Sequence, residues 1–319
     1  MPNLMLTNYC NYRCPYCFGM DMMAPKMPSK VMSRETLTGI LDWLEKDRGD
    51  GVIHLMGGEP TLHPEFEWVV EQCIERDYNV TIFSNLATDK APEYADKLSI
   101  LPIHWVVNVN NPAKWTDKQR KNIEAGLSVL GKKASITFNI MPDEDENWAI
   151  ELCDRFNLSY ELKIGFILPT YSGSNLSLRD DEYATVAAKT VELARQVYER
   201  GGKLMYECGI PTCCFTNEQL GKLWKYRSKL HSGCRSRLDI TPDGELFYCL
   251  PMAELGRRHF SKFENYESAT DWFEKRYAPY RMLGRTDECA ECMLFNPREC
   301  NGACLAKNIA SAKNVKFND

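Results

Sequence analysis

Asn3-Leu4-Met5-Leu6-Thr7 runs directly into Cys10-Asn11-Tyr12-Arg13-Cys14-Pro15-Tyr16-Cys17, and this stretch decides how the chain is read. Its three cysteines are spaced C-x3-C-x2-C behind a short apolar strand candidate. A closed structural metal site takes four protein ligands, whereas a site that must accept another molecule keeps one position open. Thiolates also hold iron–sulfur clusters, where four normally complete a cubane. Three on one loop suit a four-iron cluster with one iron left free. A zinc loop, or a disulfide with a spare thiol, would use the same residues.

Working outward, the 319-residue length suits two domains. Lys+Arg 39 against Asp+Glu 44 gives a formal charge of -5, with no basic stripe to mark a nucleic-acid partner. The N-terminal residues lack the charged and apolar regions of a signal peptide, and no apolar run is long enough for a membrane span. The expectation is a soluble, cytoplasmic protein. In that reducing compartment its 14 cysteines read as metal ligands rather than disulfides.

Up to about residue 200, short β-rich runs alternate with helical patterns. Strands are expected at Asn3–Thr7, Gly51–Met56, Asn79–Asn85, His104–Asn110, Ala134–Met141 and Tyr160–Leu168, several nearly continuous in apolar residues as in a buried parallel sheet. Helices are expected at Arg34–Lys46, Pro64–Arg76, Pro92–Leu98, Asp117–Leu130, Asn147–Asn157 and Asp181–Arg200. Six such repeats give a parallel α/β domain, and periodicity alone leaves open sheet and barrel equally possible. The cysteines follow the first strand, at the end where parallel α/β folds place their sites.

The second strand ends in Gly57-Gly58-Glu59-Pro60, a strand-to-helix turn in which the glycines permit close backbone approach and the proline stops the strand. Together, the C-x3-C-x2-C loop after the first strand and this GGEP after the second resemble the radical S-adenosylmethionine (SAM) superfamily. The resemblance implies a partial (β/α)6 barrel over 1–200, with Cys10, Cys14 and Cys17 holding a 4Fe-4S cluster whose free iron is chelated by SAM. It also implies that Gly57, Gly58, Glu59 and Pro60 cup SAM's methionine group and that Tyr16 packs near its adenine. Asn85, Asn108 and Asn139, at the ends of the third, fourth and fifth strands, become further SAM candidates. The third strand departs from the family's Thr-Asn-Gly, since Leu86 follows Ser84-Asn85, and the fourth lacks the family's Ser-x-Asp-Gly. Cys73 and Cys153 fall on apolar helix faces and read as core residues.

After the long helix the composition changes. Nine cysteines lie between Cys208 and Cys304. Cys234 and Cys249 flank Pro242-Asp243-Gly244, a hairpin turn that would bring the two thiols near one another. Cys289-x2-Cys292-x7-Cys300-x3-Cys304 follows. This block resembles the SPASM extension of radical SAM enzymes, a small cysteine-rich α+β domain expected over 201–319 that binds one or two auxiliary 4Fe-4S clusters. By that family's pairing, Cys234, Cys249 and Cys304 hold the inner cluster, completed by Cys213 or a neighbour. Cys289, Cys292 and Cys300 hold the outer one, its fourth ligand absent or taken from Cys208. On spacing alone zinc would also fit the later group.

The resemblance implies an enzyme that cleaves SAM reductively and abstracts hydrogen from a substrate, with a flavodoxin or ferredoxin as electron donor. SPASM relatives mostly act on ribosomally made peptides, by crosslinking, epimerisation or oxidation. Cys10 lies too near the start for a peptide-recognition domain ahead of the barrel, so a separate leader-recognition protein would supply that role. Leu250, where sulfatase-maturing relatives carry a carboxylate, argues against that activity. The alternatives are a dehydrogenase or epimerase of a small molecule such as a sugar alcohol, and a non-catalytic iron–sulfur or zinc scaffold. Glu207, Asp239 and Tyr248 lie in the right region for acid–base work but read as structural.

Overall fold

The computed structural model describes residues 2–228, 230, 232–234, 237–296 and 299–312. Its strands and helices come in the expected order: β1 Asn3–Met5, α1 Arg34–Leu44, β2 Val52–Met56, α2 Phe66–Glu75, β3 Asn79–Ser84, α3 Ala91–Lys97, β4 Ile103–Asn108, α4 Asp117–Leu130, β5 Ala134–Ile140, α5 Asn147–Phe156, β6 Glu161–Phe166 and α6 Tyr183–Glu199. Helix boundaries follow their caps. Thr116 and Gln119 form a reciprocal capping box that starts α4, and Gly131 at φ 49° ends it. Asn157, left-handed at φ 50°, stops α5.

The six strands pair in parallel, in chain order. The sheet does not stop at residue 200. β7 (Lys203–Tyr206) adds in parallel to β6, and β8 (Asp239–Ile240), reached after α7 (Asn217–Lys225), adds in parallel to the outer side of β1. β9 (Glu245–Phe247) and β10 (Arg258–His259) then continue antiparallel, giving the order β10-β9-β8-β1-β2-β3-β4-β5-β6-β7. The β8–β9 connection is the expected hairpin, with Gly244 at φ 83° and its N–H donated to the Thr241 carbonyl at 2.9 Å. α8 (Tyr266–Tyr277) and α9 (Leu305–Ser311) complete the chain. The 200/201 division therefore does not coincide with a break in the sheet.

The strands do not bury both faces equally. Leu4, Ile53, Leu55, Val80, Ile82 and Ile136 face the helices and join one continuous core. The opposite face is polar: Asn3, His54, Thr81 and His104 stand side by side in register, as do Asn108, Thr137 and Lys163. The sheet curls around that face. Lys163 on β6 lies 5.2 Å from the ring centre of Phe83 on β3. More tellingly, Cys208, just after β7, is within electrostatic reach of Asp239 on β8, seven strand positions away in the sheet order. The result is a partial barrel with a polar chamber, and the loops at the carboxyl ends of its strands form the rim.

Candidate functional site

The cysteine loop is clamped against the turn after β2. Gly58 N–H donates to Thr7 O at 2.8 Å and Glu59 N–H to Tyr9 O at 2.9 Å. A Cβ on Gly57 would sit 2.4 Å from Thr7 O, and one on Gly58 would sit 2.2 Å from Tyr9 O. Both lie below any real contact, so the two glycines are required by the approach of the two backbones.

Glu59 also has a role within the protein. Its carboxylate is buried and turned into the protein, accepting from Thr61 N–H (3.2 Å), Thr61 Oγ1 (2.7 Å), Ser84 Oγ (2.7 Å) and Asn85 N–H (2.7 Å). Burial pushes its pKa up while these donors pull it down. Asn85 in turn donates from Nδ2 to Asn11 Oδ1 at 2.8 Å. Glu59 thus ties the ends of β2 and β3 together, and Asn85 passes that tie to the cysteine loop. Leu86, the residue that breaks the family pattern, sits at φ 54°, the backbone conformation a glycine there would adopt readily. Its buried side chain packs on Gly126 of α4, where an added Cβ would meet Leu86 Cδ1 at 3.0 Å.

From across the rim, the segment between β6 and α6 holds the loop's far side. Leu176 N–H donates to Pro15 O at 2.8 Å, Asn175 Nδ2 to Tyr16 O at 3.3 Å, and Ser172 Oγ to Asp21 Oδ2 at 2.6 Å. Asn110, beyond β4, accepts from the Tyr16 hydroxyl, and its Nδ2 lies 4.0 Å from Cys14 Sγ. Asn110 and Asp21 were not singled out from the sequence, because neither belongs to a spaced motif. Asn108 is exposed at the end of β4 and shares the chamber face with Thr137. Asn139 Oδ1 is buried, has no hydrogen-bond partner among the described residues, and faces Gly165. Glu207 accepts from Thr137 Oγ1 at 2.8 Å and otherwise opens on the chamber.

Cys10, Cys14 and Cys17 are free thiols grouped on the loop. Burial pushes the Cys10 thiol up to about 12, with Glu59 and the other two thiols adding to the rise and the Tyr12 N–H opposing it. A metal arriving there must displace protons. A second group forms around the open seam of the sheet. Cys208 follows β7, Cys234 precedes β8, Cys249 follows β9 and Cys304 caps α9, and every one of the six pairs among them is close enough to interact. Burial is the main reason all four thiols are pushed up. Cys208 thus stands near Cys234, Cys249 and Cys304, and joins Cys213 as a candidate to complete that group. The curl of the sheet accounts for the grouping, since it brings the loop after β7 toward β8, which is itself paired with β1 and β9.

Cys213 is exposed and lies with its neighbour Cys214 beside the later cysteines. Arg285 donates from Nη1 to Cys214 Sγ at 3.6 Å and from its backbone N–H to Cys289 Sγ at 3.4 Å. Thr212 bonds Ser232 at 2.7 Å, and Ser232 is bridged to Cys300. Cys292 is exposed on the same loop as Cys289. Among the described residues, no three Cys, His, Asp or Glu side chains converge tightly enough to hold a single metal ion.

Residues 4–113, from the cysteine loop through the end of β4, match the family described as the Radical SAM superfamily. Along nearly its whole length the chain is similar to the radical SAM cyclopropyl synthase TigE of Paramaledivibacter caminithermalis, 23% identical over 350 residues, covering 99% of this chain and 70% of that protein. The GTP 3',8-cyclase of Haemophilus influenzae is 23% identical over 271 residues, 77% of this chain and 76% of its own. In structure, the chain resembles Streptococcus suis SuiB bound to the precursor peptide SuiA, with TM-score 0.67, 16% identity, and coverage of 95% and 71%. SuiB bound to S-adenosylmethionine aligns equally well, with TM-score 0.67. At that identity the likeness is one of fold. No helix among the described residues is long and apolar enough to cross a membrane.

Proposed function

We propose that this protein is a radical SAM enzyme that modifies a ribosomally made peptide, with Cys10, Cys14 and Cys17 as ligands of the 4Fe-4S cluster that engages SAM. The observation that carries the reading is three free thiols on one loop, clamped by the Gly57–Gly58 backbone inside the segment that matches the radical SAM family. When bound, the cluster supplies one electron to the sulfonium of SAM, which splits into methionine and a 5'-deoxyadenosyl radical that removes hydrogen from the substrate. The protein's part is position and exclusion of water. The Gly57–Gly58 backbone and Asn85 border the space for SAM, Tyr16 and Asn108 stand at its rim, and Glu59 holds the two strand ends that shape it.

Cys208, Cys234, Cys249 and Cys304 are proposed as the four ligands of an auxiliary 4Fe-4S cluster. Each of the six pairs among them is near enough for one thiol to act on the other, and that grouping is what supports a shared site. Cys289, Cys292 and Cys300, with Cys213 or Cys214, are the candidates for a second. A peptide substrate is favoured by the fold shared with SuiB, whose structure is recorded with a precursor peptide. A flavodoxin or ferredoxin would donate the electron, and a separate protein would present the leader. A small-molecule substrate is the second reading, favoured by the likeness to a GTP 3',8-cyclase.

The test is anaerobic reconstitution with iron and sulfide, then incubation with SAM and a strong reductant. Wild type should yield 5'-deoxyadenosine and Cys14→Ala none. No 5'-deoxyadenosine from wild type would refute the enzyme reading. Mass spectrometry of peptides encoded beside the gene, before and after incubation, separates peptide from small-molecule chemistry.

A further inference from the structure

Each thiol of the first loop faces an N–H donor, and the donors differ in origin. Cys10 Sγ accepts from the Tyr12 backbone N–H at 3.4 Å. Cys17 takes the backbone N–H of Gly19. Both donors belong to the loop itself, two residues downstream of the thiol they serve. Cys14 is served from outside the loop, by Nδ2 of Asn110 at 4.0 Å, carried on the segment that leaves β4. That amide is held by Tyr16, whose hydroxyl also lies beside Cys14. The Tyr16 hydroxyl donates to Asn110 Oδ1, so the carbonyl end is taken and the NH2 end is left facing sulfur. Tyr16 is itself two residues from Cys14, so loop and strand end hold each other in one arrangement.

We propose that Asn110, locked by Tyr16, sets the reduction potential of the iron–sulfur cluster that Cys14 would help to hold. This rests on the function proposed above. Hydrogen bonds to the ligating sulfurs are one of the levers that set a cluster's potential. The sulfur is more negative after the electron arrives, so a donor stabilises the reduced state more than the oxidised one and raises the potential. Two of the three donors are backbone groups that a side-chain substitution does not remove. Asn110 is the one that the barrel supplies through a side chain. Through it the end of β4, which also borders the chamber, is coupled to how readily SAM is cleaved.

The test uses the full chain, reconstituted anaerobically and without SAM, in a potentiometric titration followed by electron paramagnetic resonance. Asn110→Leu removes the donor. Asn110→Asp keeps the shape and turns a carboxylate toward the sulfur. Both should lower the potential of this cluster, Asp by more. For Leu the one-electron equilibrium should shift by about threefold to tenfold, the latter being 59 mV. Tyr16→Phe, which frees the amide to turn and removes the hydroxyl beside Cys14, should lower it too. A potential that is unchanged or raised in Asn110→Asp at wild-type iron content overturns the proposal, and that variant decides if Asn110→Leu loses its iron. If wild type itself binds no iron and forms no 5'-deoxyadenosine, the proposed function has failed. A normal wild type with indifferent variants means that only the role of Asn110 has.

Discussion

Glu59→Gln separates two roles that the GGEP turn could play. If the carboxylate touched SAM, the substitution would weaken SAM binding and leave the empty protein as stable as before. The hydrogen bonds argue the reverse. Oε1 takes three donors, Thr61 N–H, Thr61 Oγ1 and Ser84 Oγ, while Oε2 takes the Asn85 backbone N–H at 2.7 Å. A glutamine satisfies the first three by placing its carbonyl at Oε1, and its NH2 then confronts the Asn85 N–H. A charge-assisted bond of about 1.5–3 kcal/mol is lost and a buried backbone donor is stranded, partly offset because no charge is buried any longer. The expected cost is about 2–3 kcal/mol in the unfolding free energy of the metal-free protein. Urea unfolding at neutral pH reads it directly, with the slope of the transition checked against wild type. The cysteine loop hangs on the same network through Asn85 and Asn11, so iron uptake should fall as well. A Glu59→Gln protein within about 0.5 kcal/mol of wild type, a size typical of changes that touch no buried feature, would refute the reasoning.

Two further outcomes are expected. Cys208→Ala should speed chelator-driven loss of iron from the reconstituted protein by roughly tenfold or more, since losing a ligand should cost at least what losing an outer-shell partner does; Cys213→Ala losing iron as fast as Cys208→Ala would count against the seam grouping. His54, pushed down to about 3 by burial and by the Arg237 and Lys163 charges, stays neutral when folded but takes a proton when unfolded below pH 6.5. Its contribution is therefore present above that pH and is lost as the pH falls toward 3, about 2 kcal/mol between pH 7 and pH 5. Unfolding curves should show wild type losing that much more than His54→Gln over the interval, and parallel pH profiles would contradict it.

Where the sequence carried its own punctuation, the fold was legible. α4 spans Asp117–Leu130 as expected, because Thr116, Gln119 and Gly131 mark both of its ends. The strand runs were found within a residue or two for most of β1–β6. Their second face was misjudged, since His54, Thr81 and Lys163 line a chamber rather than a second layer of core. β7 was missed because Lys203–Tyr206 is short and sits where the composition changes. In the site, motifs with fixed spacing were readable: the cysteine loop and the glycine turn lie against each other as their order suggested. What depends on closure of the sheet was not. Cys208 has no spacing relation to Cys234, and only the approach of β7 to β8 brings them together. Leu86 looked like a departure from a glycine position, yet it keeps the left-handed backbone and fills a slot over Gly126.

The match to the radical SAM family ends at residue 113, but the polar face of the sheet does not. The far wall of the chamber is built by Thr137 and Asn139 on β5, Lys163 and Gly165 on β6, Glu207 after β7 and Asp239 on β8. A carbon radical removes hydrogen from whatever is held within reach, so selectivity must come from which atom is presented to it. That task falls to the wall outside the matched segment. Under the proposed function, the matched segment prepares the radical and the far wall chooses its target. In this chain the far wall joins the matched segment at the seam where Asn3 donates to Asp239 and accepts from His54. Substitutions at Asn139, Lys163 or Glu207 should therefore alter what reacts, whereas substitutions at Gly58 or Cys14 should alter whether anything does.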